Sequence, residues 1–152
     1  MFFANQITIF SHLIKLIYQI STMELYNTKY LTINLHENFI ELIWKDATRH
    51  ASSNDFKVWN KAITDEVEKH KPRYMYSDCL FYYYAISPDL QTWSVENVFN
   101  RFEKAGLKRL AMLMSTAIIS QLSLEQFVEE ANTSLITRYF NNESLAKEWL
   151  LK

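Results

Sequence analysis

The sequence predicts an α/β domain: a five-stranded mixed sheet that starts as an antiparallel hairpin, continues as βα units and carries its helices mainly on one face. Three observations carry that expectation. The run Leu110-Ala111-Met112-Leu113-Met114 has no polar interruption, which suits a strand covered on both faces within a sheet. Leu31, Ile33 and Leu35, and then Ile40, Leu42 and Trp44, alternate with their neighbours on either side of His36-Glu37-Asn38, as in a hairpin with one buried face. After the hairpin, strand-like runs are separated by stretches whose apolar residues recur at helical spacing.

Residues 1–22 differ in character from the rest of the chain. Phe10, Leu13, Ile14 and Ile17 share one helical face, but Lys15 and His12 interrupt the run, so it fits neither a signal peptide nor a spanning helix of about 20 apolar residues. The expectation is an N-terminal extension at 1–22 and a domain at 23–152. The alternative is an amphipathic helix laid over an otherwise exposed apolar surface.

Past the hairpin, Phe56, Trp59, Ile63 and Val67 stripe a helix from about Ser53 to His70, capped by Ser52, Ser53 or Asn54 and ended by Pro72. Arg73 to Asp78 is a short strand, and Cys79 to Ile86 an aromatic connection. Ser87-Pro88-Asp89 starts the next helix with a capping hydroxyl, a proline at the first helical position and a carboxylate at the positive dipole end. Its stripe is Val95, Val98, Phe99 and Phe102, and Gly106, the one glycine of the chain, stops it. The strand at Lys108–Thr116 leads through a loop at 117–122 to a capping box, Ser123 with Gln126, and a helix burying Leu124, Phe127, Val128 and Ala131. Ile136 to Phe140 is the last strand, and Asn142 caps a closing helix that packs Leu145, Trp149 and Leu150. Right-handed crossovers between neighbouring strands would keep every helix on one side. The far face, with Tyr30, Phe39 and Ile43, would then stay half exposed.

Composition excludes several functions. One glycine in 152 residues leaves no phosphate-cradling loop and no dinucleotide turn. Sixteen basic against seventeen acidic residues give no electrostatic footprint for nucleic acid. The basic clusters Lys69, His70, Lys71, Arg73 and Lys104, Lys108, Arg109 each follow a helix C-terminus, where the dipole accounts for them. A single cysteine rules out an internal disulfide and suits a reducing, cytoplasmic setting. The four histidines, at 12, 36, 50 and 70, share no ligand spacing, so neither a metal nor another cofactor is expected.

Strand ends and helix starts meet on one rim, bringing Asp78, Ser87, Asp89, Ser115, Thr116 and Asn141 together where open α/β sheets bind ligands. Ser87, Ser115 and Thr116 are expected to satisfy backbone amides. Asp78, a carboxylate ending a buried strand, must accept amides or mark a site. Cys79 lies beside that carboxylate with no histidine nearby in sequence, so no nucleophile is expected there and no catalytic residues are assigned. Phe81-Tyr82-Tyr83-Tyr84 is either aromatic packing over the sheet edge or a surface for a partner or an apolar ligand.

Through Y-L-T-I-N-L-H-E-N-F-I-E-L-I-W-K, the strand ending at Asp78, E-K-A-G-L-K-R-L-A-M-L-M and R-Y-F-N-N-E-S-L-A-K-E-W-L, residues 23–152 resemble the STAS and Sec14-like α/β superhelix. The resemblance is to small bacterial proteins likened to the anti-sigma factor antagonist of sporulation. It implies a non-enzymatic interaction domain whose partner is another protein or a second copy, switched by a phosphorylated serine in a D-S-S-G-like stretch at a helix start. Ser87, in A-I-S-P-D-L, is the nearest match; the preceding acid, the second serine and the glycine are missing. The Sec14-like alternative implies a lipid or small apolar ligand between the aromatic connection and the third helix.

Overall fold

The computed structural model describes residues 2–119 and 134–152. The chain runs α1 (Phe2–Ile20), β1 (Met23–Asn27), β2 (Leu31–Leu35), β3 (Ile40–Trp44), a 3-10 turn (Asp46–His50), α2 (Ser53–His70), β4 (Tyr74–Asp78) and α3 (Pro88–Ser94). A π-helical stretch (Val95–Phe99) continues into α4 (Asn100–Ala105), followed by β5 (Arg109–Leu113), α5 (Thr116–Ile119), β6 (Ile136–Phe140) and α6 (Glu143–Leu151).

Local chemistry sets these bounds. Ser52 and Asp55 form a reciprocal capping box at the start of α2, and Lys71, in the left-handed region, ends it just before Pro72. Ser87 caps α3 with Pro88 at its first position. Gly106 terminates α4 at φ +92°, a conformation that disfavours a side chain.

Among the described residues the sheet has six strands in the order β1-β2-β3-β4-β5-β6. β1 and β3 run antiparallel to β2, and β3 through β6 are parallel. The five-strand expectation is therefore short by β1. That strand pairs Met23 with Leu35 and Asn27 with Thr32, and its register shifts between Glu24 and Tyr26. The irregularity breaks the period of two that marks a strand in sequence.

Two apolar layers sandwich the sheet. One joins Leu31, Ile33, Ile40, Leu42, Met75 and Leu110 to Phe56, Trp59, Ile63 and Val67 of α2 and to Leu90, Val98 and Phe102 of the α3 to α4 helix. The other joins Phe39, Tyr76, Ala111 and Leu113 to Ala146 and Leu150 of α6. The expectation of every helix on one side is thus corrected. Handedness constrains a helix between two parallel strands, and α6 follows the last strand, so it is free to cross to the far face. Phe39 is buried there, and Tyr30 lies on the opposite layer, edge-on to Trp59 at 5.4 Å between ring centroids. The expected loop from Ala117 begins as α5, and the helix expected at 123–131 lies outside the described residues.

Candidate functional site

Residues facing α2 and the α3 to α4 helix leave a cavity of about 180 Å³ above the sheet. Its floor is Leu42, Trp44, Met75, Ser77, Leu110 and Met112, alternate residues of adjacent strands, as the period of two requires. Phe56, Trp59 and Ile63 of α2 form one wall. The other wall is Ser94, Val95, Val98, Phe99 and Phe102. The π-helical stretch falls in this wall: Asn100 donates its N–H to the Val95 carbonyl five residues back. Val95, Val98 and Phe99, at i, i+3 and i+4, share the face that lines the cavity. Nothing in the sequence marks that turn, because its apolar spacing reads equally as regular helix.

The aromatic connection divides by alternation. Tyr82 turns inward to the cavity and meets Trp44 edge-on at 4.9 Å; Tyr84 stacks on Phe56 at 5.6 Å. Phe81 and Tyr83 face outward, and the Arg49 guanidinium sits 4.3 Å above the Tyr83 ring. The connection is pinned by Thr48, fully buried, whose hydroxyl accepts the Tyr83 N–H at 3.0 Å and lies 3.1 Å from the Phe81 carbonyl.

Polar groups around the cavity are few. The Trp44 indole donates to Ser77 Oγ at 3.0 Å, and Ser77 Oγ is 3.2 Å from Cys79 Sγ. Burial pushes the Cys79 thiol up to about 12, so it stays protonated and unreactive at neutral pH. Ser94 donates to the Leu90 carbonyl at 2.7 Å. Trp59 is the exception: its Nε1 is buried and has no hydrogen-bond partner among the described residues. No charged side chain is among the described residues lining the cavity.

The polar rim is separate and largely self-satisfied. Asp78 accepts the Leu80 N–H at 3.1 Å, and burial pushes its carboxyl above the ordinary value. Ser87 accepts the Leu90 N–H at 3.4 Å, and Asp89 is exposed in the first turn of α3. Ser115 accepts the Ile118 N–H at 3.3 Å, and Thr116 accepts from the Asn141 amide at 3.2 Å. Of the candidate site residues singled out in sequence, Cys79 and Tyr82 line the cavity; Trp44, Trp59 and Ser77 were legible as strand or helix positions without any sign of a site.

On the far face, Glu41 accepts from Asn34 at 3.1 Å and lies 2.9 Å from His36 Nε2 and 3.8 Å from Lys147 Nζ. Sequence reading missed this cluster because its members come from β2, the hairpin turn, β3 and α6. Among the described residues no group of acids, histidines and cysteine is placed to hold a metal ion. Comparison of the chain with protein-family models, curated proteins and solved structures finds no match.

Proposed function

We propose that this chain is a non-enzymatic binding module that holds a small, uncharged, largely apolar ligand in the cavity between the sheet and its two helices. The observation that carries the reading is that Trp59, which lines this mainly apolar cavity, has a buried Nε1 without a partner among the described residues. A buried donor without an acceptor costs about 1–3 kcal/mol, which a ligand oxygen would recover. Size agrees: a dry apolar cavity of about 150 Å³ takes up benzene. The ligand is therefore a compact ring or short chain with one acceptor, rather than a whole lipid. The sequential parallel strands β3 to β6, with α2 and the α3 to α4 helix on one face, are in keeping with the STAS and Sec14-like superhelix, and the cavity is what favours its ligand-binding side.

Acetophenone and ethylbenzene, alike in shape and different in one carbonyl, test this. Acetophenone is expected to raise the thermal midpoint and to bind about tenfold more tightly than ethylbenzene. Val98→Phe or Ser94→Leu, which fill the cavity, should abolish both effects. If neither compound shifts the midpoint and native mass spectrometry of fresh protein retains no small molecule, the reading fails.

A second reading, association with another protein or a second copy, has its own support. Leu80, Phe81 and Tyr83 are 41, 55 and 44 % exposed beside one another on the rim. A dimer in native mass spectrometry that Phe81→Asp dissolves would favour it. Ser87, already spent on capping α3, serves this reading as a structural residue.

A further inference from the structure

Among the described residues the apolar half of α1 is exposed. Phe3, Ile7, Phe10 and Ile14 form one row along the helix and Ile9, Leu13 and Leu16 a second, so the two rows span about half its circumference. All seven side chains stand in solvent, from 49 % exposed at Leu13 to 82 % at Phe3. Gln6 lies between the two rows, and Asn5, Thr8, Ser11 and His12 occupy the other half. Two of these hydroxyls are already satisfied by the helix itself: Thr8 donates to the Ala4 carbonyl and Ser11 to the Thr8 carbonyl, each at 2.9 Å.

The width of the apolar arc and the charge pattern choose the occupant. Pairing with a second copy of the helix covers a stripe of about 100°, narrower than the two rows together. Among the described residues no helix is long and apolar enough to cross a membrane. A helix lying in the plane of a bilayer surface immerses half its cylinder, which matches the arc. Before Glu24 the sequence holds one lysine, one histidine and no carboxylate, so no acid opposes insertion. Equally, a single lysine is far fewer than the lysines and arginines by which such helices select anionic lipid.

We propose that α1 is an in-plane anchor that inserts its two apolar rows into the surface of a lipid bilayer, recognising loosely packed, strongly curved membrane rather than headgroup charge. Attachment is driven by apolar burial and is independent of what the cavity holds.

Flotation of the intact chain with phosphatidylcholine vesicles tests this. Small sonicated vesicles should carry the protein, large extruded ones about tenfold less or lower, and high salt should change neither. Phe10→Glu and Ile14→Glu should each lower partitioning by about tenfold or more, whereas Thr8→Gln leaves it unchanged. These exposed positions should keep the wild-type thermal midpoint, which separates lost attachment from lost fold. Three results would overturn the proposal: no flotation with small vesicles, binding that requires phosphatidylglycerol and vanishes in salt, or an α1-dependent dimer in sedimentation that stays off vesicles.

Discussion

Thr48 and Tyr83 are 35 residues apart in sequence and joined by a hydrogen bond of 3.0 Å, from the Tyr83 backbone N–H to the buried Thr48 hydroxyl. This bond fixes the phase of the alternation that turns Tyr82 and Tyr84 inward and Phe81 and Tyr83 outward. Thr48→Val keeps the shape and removes the hydroxyl, leaving the Tyr83 amide without its acceptor. The expected loss is about 1–3 kcal/mol in urea unfolding, with Thr48→Ser losing much less. A Thr48→Val midpoint equal to wild type would mean the connection is held by its rings alone.

Two carboxylates should respond to acid with opposite signs. Burial pushes Glu41 up, but hydrogen bonds to His36 and Asn34 and the charges of His36 and Lys147 outweigh it and hold the carboxyl below its ordinary 4.5. Its contribution to stability is therefore present above pH 4.5 and lost as pH falls through the lowered folded value. Glu41→Gln should flatten the stability profile below pH 4.5.

Asp78 is displaced the other way: burial, with lesser contributions from Glu143 and Glu41, raises its carboxyl above 3.8 despite the Leu80 amide. The folded state prefers it protonated, so its contribution is present below pH 3.8 and is lost as pH rises through the raised value. Asp78→Asn keeps an acceptor for the Leu80 amide. It should match or exceed wild-type stability at pH 7, with the gain vanishing below pH 3.8. Chemical denaturation across pH measures both variants, and a loss in Asp78→Asn at pH 7 would contradict the burial argument.

Gly106 isolates a backbone effect from a steric one. Its φ of +92° disfavours any side chain, yet a Cβ added there meets nothing within 4 Å. Gly106→Ala should cost about 1–2 kcal/mol from conformation alone. A much larger loss in guanidinium unfolding would reveal a clash.

Cys79 reports global opening. With its thiol buried and pushed up to about 12, alkylation by iodoacetamide at pH 8 should proceed in the native protein at least about a thousandfold more slowly than in denaturant. Mass spectrometry of the labelled chain checks this, and rapid native labelling would place the thiol at a surface.

What was legible in the sequence was whatever local chemistry dictates. The bounds of α2 follow from Ser52 and Pro72, the start of α3 from Ser87-Pro88, and the end of α4 from Gly106. The alternation of β2 and β3 fixed their inward faces. β1 was hidden by its register shift, which leaves Leu25 and Tyr26, consecutive residues, both half buried. The position of α6 was hidden because no local signal selects a face for a terminal helix. Yet the apolar run at Leu110–Met114 already asked for cover on both sides, and Ala111 and Leu113 receive it from α6. The cavity was illegible for a further reason: it arises where side chains of three layers fail to meet, which is a property of their sum and of no single segment.

Because each of the described strands after the first lies beside the one made just before it, the order of synthesis and the order across the sheet coincide. Each new rib finds its template already in place, and no pairing has to wait for a distant stretch of chain. A ribosome releasing this chain therefore lays the sheet down from one edge to the other, with α6 following β6 to close the back of the sheet.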